Sequence, residues 1–189
     1  MDTPKLTYRN IAISGRIATG TSTLARNLLE ILQPHGWKRI NVGDIQREFD
    51  RKRGMDERFS GSDTRDDQWE RDLEAMTKKK LTDEDKLIYE AWLAGFVARE
   101  ITDVLKVLLV CKDDLRIDRV VNRDHVSVED AKREIESREK GNIAKWKKLY
   151  GDYDFWNPDY FDIVIDTYSS GPHETVGKVL DKLGYTNGK

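Results

Sequence analysis

Residues 15–22 read Gly15-Arg16-Ile17-Ala18-Thr19-Gly20-Thr21-Ser22, two glycines flanking a short loop and followed by hydroxyls. This is the phosphate-loop frame G-x-x-x-x-G-K-[ST], with Thr21 where lysine is expected. The glycines permit a tight turn in which backbone N–H groups converge on one centre. That centre lies at the N-terminus of a helix starting at Thr21, whose partial positive charge and free donors suit a phosphate. The Ser22 hydroxyl is placed to meet Mg²⁺. With the lysine missing, another cation must face the phosphates. Arg16, inside the loop, is one candidate. Arg116, Arg119 and Arg123 form another set, spaced to share one helix face. Lone Cys111 and three scattered histidines (His35, His125, His173) give no zinc-ligand spacing and no catalytic triad.

These groups need a scaffold. The chain has 189 residues, 38% hydrophobic and 36% charged, with a net charge of -2. That is a globular composition of one-domain size with a very polar surface. There is no basic excess of the kind a nucleic-acid-polymer binder carries, so any anion site is local. No apolar run reaches the ~20 residues of a membrane span. The first ten residues lack a signal-peptide pattern, and a single cysteine fits a reducing compartment, so the expected location is the cytoplasm.

Hydropathy divides the chain into alternating elements. Asn10–Ser14 is a short apolar strand, and the stretch after Gly20 is apolar at helical spacing until His35-Gly36. Trp37–Val42 is a second strand, and Asp44 is placed to cap a helix through Arg53. Gly54–Asp67 is polar and turn-rich. Trp69–Lys80 returns to helical spacing, with Trp69, Leu73 and Met76 on one face. Lys86–Glu90 is a third strand, Val104–Cys111 a buried fourth and Phe161–Asp166 a fifth. Helices are expected over Asp114–Asn122, over Ser127–Tyr150 with a break near Gly141-Asn142, and over Glu174–Leu183. Strands alternating with helices predict an α/β fold, a parallel sheet covered on both faces.

The order of these segments resembles a known family. The loop, extended to Thr23, resembles the GxxGxGTTT version of archaeal-type cytidylate kinases, which also lack the lysine. Asn41–Glu48 (NVGDIQRE) is similar to the G-D-[IL]-[FL]-R-E segment of nucleoside monophosphate kinases. Glu90–Gly95 (EAWLAG) is similar to their E-G-R-L-A-G. Val126–Gly151 resembles their lid, in which an R-E pair precedes a basic helix ending K-K-L-Y-G. Tyr160–Thr167 resembles their final strand, Y-D-L-V-I-N-T.

The resemblance implies one three-layer P-loop kinase domain over 1–189, with a five-stranded parallel sheet of order 2-3-1-4-5. A helical acceptor-binding insertion is expected at about 44–80 and a lid at about 124–150. It implies transfer of the γ-phosphoryl group of MgATP to CMP or dCMP by a monomer that needs neither nucleic-acid polymer nor membrane. Gly15, Arg16, Ile17, Ala18, Thr19, Gly20, Thr21, Ser22 and Thr23 then hold the ATP phosphates, with Ser22 on the metal. Asp44 and Arg47 orient the acceptor, and Glu90 lies near the Mg²⁺ water shell. Arg119, Arg123 and Arg138 neutralise charge, and Lys145 stands where a lid arginine is usual. Asp152 and Asp154 are alternatives for the lid carboxylate. Trp92 replaces an arginine that holds the acceptor phosphate, and either stacks on a base or fills core. Two other readings stay open: a P-loop kinase for a different small acceptor, and a nucleotide-binding protein with little catalysis.

Overall fold

A computed structural model describes residues 6–56 and 61–185. Five strands, β1 (Asn10–Gly15), β2 (Lys38–Asn41), β3 (Leu87–Glu90), β4 (Val104–Val110) and β5 (Ile163–Asp166), form one parallel sheet. Its order is β2-β3-β1-β4-β5. The helices are α1 (Thr21–Leu32), α2 (Val42–Lys52), α3 (Asp67–Asp83), α4 (Ala94–Val97), α5 (Asp113–Asp124), α6 (Val128–Tyr150) and α7 (Pro172–Leu183).

Side-chain alternation along β1 assigns its two faces. Ile11 and Ile13 join Leu24, Leu28 and Leu32 of α1 and Val176, Val179 and Leu183 of α7. Ala12 faces the other way, toward Val42 of α2, Leu73 and Leu81 of α3 and Ala94 of α4. A third cluster, Leu93, Phe96, Leu108, Trp146, Phe155 and Trp156, seats the C-terminal half of α6. Each fully buried Leu or Ile in these layers contributes about 1.5–3 kcal/mol relative to exposure.

The chain leaves β1 for α1 on one face and β3 for α4 on the other. Such a reversal opens a crevice at the carboxyl ends of parallel strands. Ile13 is in register with Glu90. The end of β3 therefore delivers a carboxylate beside the loop that follows Gly15.

Several boundaries differ from the sequence expectation. α6 runs unbroken through Gly141 and Asn142. Gly141 serves close approach: a Cβ there would lie 2.8 Å from the Asp63 carboxyl. The Asn142 side chain accepts from the Ser62 amide at 2.5 Å. Asp44 does not cap α2. Asn41 holds that position and Asp44 sits in the first turn, where its charge still suits the helix N-terminus. β5 starts at Ile163, because Tyr160 ends a 3₁₀ turn and Asp162 spends its carboxylate on the Lys106 amide. Residues 57–60 of the turn-rich stretch lie outside the described residues. Its remainder is anchored, with Ser62 and Arg65 buried.

Candidate active site

The loop after β1 is held from behind. Arg116 Nε donates to the Ile17 carbonyl at 2.9 Å, Arg119 Nη1 to the Ala18 carbonyl at 3.0 Å, and Thr167 Oγ1 to the Thr19 carbonyl at 2.8 Å. Thr167 is itself fixed, because its carbonyl accepts from Arg119 Nη2 at 3.1 Å. In a trans peptide the N–H points opposite to the C=O. Three anchored carbonyls therefore turn the intervening N–H groups toward the cavity in front of α1. The turn needs positive φ at Ala18 (60°) and Gly20 (102°). Glycine supplies the second freely, and Ala18 is held there by its neighbours.

That cavity is about 810 Å³. Gly20 to Leu24 form its floor, and Arg26, Arg47, Arg119, Arg123 and Arg138 border it. Five guanidinium groups around a helix N-terminus make a strongly anion-selective space. Arg16 is not among them. It pairs with Glu139 at 3.7 Å and lies over the Trp156 ring at 4.9 Å. Glu139 is also bound by Arg116. Burial nonetheless pushes its carboxyl above the ordinary value, with Arg116 and Arg16 opposing. The cations facing the phosphate space thus come from outside the loop.

Thr21, at the lysine position, turns its hydroxyl to Glu90 Oε1 at 3.0 Å. The Ser22 hydroxyl donates to the same oxygen, and Arg39 donates to Oε2 at 2.6 Å. Glu90 is buried, and its carboxyl group lies beside the loop, paired with Arg39. A serine hydroxyl and a carboxylate are the hard oxygen groups that Mg²⁺ takes, with phosphates and water completing its shell. The residues present therefore fit the cation.

A second, much smaller cavity of about 60 Å³ lies beside the first. Arg65, Asp50, Glu74, Trp92 and Trp146 line it, and Arg47 and Arg138 border both cavities. Arg47 pairs with Asp44. Arg138 lies 3.6 Å from Glu134, which also holds Arg123 at 3.3 Å. The Arg138 Nε is buried without a hydrogen-bond partner. Burial pulls this guanidinium below its ordinary value. Glu134 opposes that shift, and Arg123, Arg47 and Arg65 add to it. It remains a cation, and its uncompensated donors at the junction are suited to an anion.

Trp92 is half-buried in an aromatic group, 5.8 Å from Trp146 and 6.2 Å from Trp156 between ring centroids. Arg138 lies 5.9 Å from its ring, so Trp92 both packs the wall and carries the junction cation. Lys145 borders neither cavity. Its ammonium donates to the Arg65 carbonyl at 2.9 Å and pairs with Asp67. Asp152 is exposed and pairs with Lys147, and Asp154 accepts from the Trp156 amide at 3.2 Å. Neither borders a cavity.

Sequence reading missed Arg39, Arg65, Glu134 and Glu74. The i,i+4 spacing of Glu134 and Arg138 was a visible signal, as was the placement of Arg116 on the face of Arg119. Arg65 reaches Glu70 five residues on and Asp50 fifteen back, with no helical period to mark either, and Arg39 meets Glu90 from 51 positions away.

The sequence model of the Cytidylate kinase-like family matches residues 10–169. A protein named cytidylate kinase from Methanopyrus kandleri is 35% identical over 175 residues, covering 87% of this chain and 88% of its own length. One of the same name from Pyrobaculum neutrophilum is 33% identical over 177 residues, covering 92% and 91%. Among solved structures, a gluconokinase from Sinorhizobium meliloti superposes with a TM-score of 0.60 at 12% identity, covering 94% of this chain and 92% of that one. That likeness shows the fold, a three-layer P-loop kinase arrangement, and nothing about the acceptor.

Proposed function

The chain belongs to the cytidylate kinase-like family and is an ATP-dependent phosphotransferase, and on that premise we propose that it phosphorylates CMP or dCMP to the diphosphate. The observation that carries this reading is the pair of adjoining cavities, with Arg47 and Arg138 at their junction. ATP enters the larger cavity, and the monophosphate enters at the smaller one lined by Arg65, Glu74 and Trp92, which must widen to take it.

Phosphoryl transfer is mainly positioning and charge neutralisation. The loop from Gly15 to Thr23 binds the ATP phosphates through its N–H groups, and Arg119 and Arg123 neutralise them. An oxygen of the acceptor phosphate forms the bond to the γ-phosphorus as the bond to the β–γ bridging oxygen breaks. The electron pair leaves on ADP. A phosphate monoester is largely ionised at pH 7, its second pKa being about 6, so no general base is required. Arg138, with Arg47, bears on the group in flight, where added positive charge stabilises the transition state more than the ground state. Ser22, with Glu90 behind it, would hold Mg²⁺, which would supply neutralisation of phosphate charge.

Asp44 fixes Arg47 on the acceptor. Where Trp92 replaces the family's arginine, Arg47 and Arg138 carry the acceptor-side charge, and Arg65, bound by Asp50 and Glu70 and held at its carbonyl by Lys145, braces the wall behind them. α2 to α3 form the acceptor region. α5 to α6 form the lid, whose closure excludes water and limits ATP hydrolysis.

The test is ATP turnover with Mg²⁺ across CMP, dCMP, UMP, AMP, GMP and dTMP, with an acceptor-free control. Stimulation greatest with CMP or dCMP is expected. ATP binding without stimulation by any monophosphate would refute the reading and favour a different acceptor.

A further inference from the structure

The acceptor cavity has a cationic end at Arg47 and Arg138, and an acid, Glu74 of α3, on its wall. If the phosphate takes the arginines, the base meets Glu74. This carboxyl has no hydrogen-bond partner among the described residues. Its neighbours Asp50 and Glu70 are both engaged by Arg65. Glu74 alone among the three acids leaves both oxygens to a ligand.

Resting on the acceptor reading above, we infer that Glu74 reads the edge of the base as a neutral carboxylic acid, its O–H donating and its C=O accepting. Cytosine offers a matching edge, since ring N3 accepts and the 4-amino group donates. A base edge that left the acid O–H without an acceptor would be disfavoured.

The surroundings favour the neutral form. Burial pushes the Glu74 carboxyl up to about 8, and the nearby negative charge of Glu70 adds to the shift. On α3, Lys78 lies one turn further along and lines the neighbouring cavity. Tyr89 on β3 and Tyr150 on α6 both have phenols raised in turn by burial first and by Glu74 next among the raising charges. Arg99 and Tyr153 face the outer side of Glu74 across that neighbouring cavity. On the inner side, Arg47 and Asp50 of α2, Arg65, and Arg138 of α6 complete the charged groups around the acceptor cavity. Arg65 is neutralised by two carboxylates, Arg47 by Asp44 and Arg138 in part by Glu134. Among the described residues no cation pairs with Glu74.

The test follows KM for CMP and kcat from pH 7 to 9.5 in the full chain and in two variants. Glu74→Leu should raise KM by about 10- to 100-fold, as loss of a buried pairing does, and change kcat less. Glu74→Gln keeps one donor and one acceptor. It should recover most of that loss, and its KM should no longer depend on pH. In the parent, KM for CMP should climb above pH 8 as the acid ionises. A Gln variant as impaired as the Leu variant, or a parent KM flat to pH 9.5, would overturn the inference while leaving CMP kinase activity in place. Absence of turnover with every monophosphate is a different result, which removes the acceptor reading and this inference together.

Discussion

Replacing Arg65 by methionine tests the clamp that joins α2 to α3. The Arg65 and Asp50 side chains are each 3% exposed and that of Glu70 is 0% exposed. Arg65 Nη1 donates to Asp50 at 3.0 Å and Nε to Glu70 at 2.8 Å. Methionine keeps most of the volume and removes the charge. Two buried carboxylates are then stranded, although Glu70 retains a contact from Trp146 Nε1 at 3.4 Å. Removing one partner of a buried ion pair costs about 3–5 kcal/mol. For a chain of this size each kcal/mol lowers the melting temperature by about 2–4 °C, so a fall of roughly 6–20 °C is expected. Urea unfolding followed by tryptophan fluorescence is the assay, since Trp69 lies 5.1 Å from the Arg65 guanidinium and Trp146 touches Glu70. Adding Asp50→Asn to the variant removes one stranded charge and should recover part of the loss. A single variant within about 1 kcal/mol of the parent, the low end of what any buried hydrogen bond contributes, would refute the clamp.

Three further outcomes follow from the same geometry. Arg138→Met should lower kcat by about 10³-fold or more, the range for an arginine on a transferring phosphoryl group, with ATP affinity by calorimetry changed far less. Glu90→Gln removes the charge behind the Ser22 hydroxyl and leaves the half-buried Arg39 without its carboxylate, so a Mg²⁺ titration of turnover should shift to higher concentration while the protein loses about 1–3 kcal/mol of stability. Asp67 is drawn down to about 2 by hydrogen bonds from Lys145 and then Lys148. Its folded value lies below its unfolded one, so its contribution is present above pH 4 and is lost as pH falls through about 2. A carbon-13 titration of the carboxyl checks this, and a value near 4 would sink it.

What the sequence disclosed depended on how local each feature is. The loop was legible because its chemistry requires consecutive residues, and glycines, hydroxyls and an adjoining helix sit within one stretch. The strands were legible because burial on both faces writes continuous apolar runs such as Val104–Val110. Gly141-Asn142 misled, because a glycine beside an asparagine signals a helix end when read locally. Here both residues accommodate the segment around Ser62 and Asp63, some 80 positions away. The cations also split along this line. Arg119 and Arg123 carried a spacing signal and Arg138 came with the lid resemblance, and all three line the larger cavity. Arg65 and Arg39 carried none, because their partners Asp50, Glu70 and Glu90 come from other elements. Arg16 was the reverse case. Its place in the loop suggested a role on phosphate, but Glu139 and Trp156 draw its side chain away.

The central claim is that donor and acceptor lie side by side, with Arg47 and Arg138 between them. Titration calorimetry with adenosine and cytidine joined 5′ to 5′ through five phosphates measures this directly. The account predicts one molecule bound per chain, displacement of both ATP and CMP, and affinity about 10² or more above either nucleotide alone, as linking two adjacent ligands gives. Binding no tighter than ATP, or CMP still bound in its presence, would contradict it.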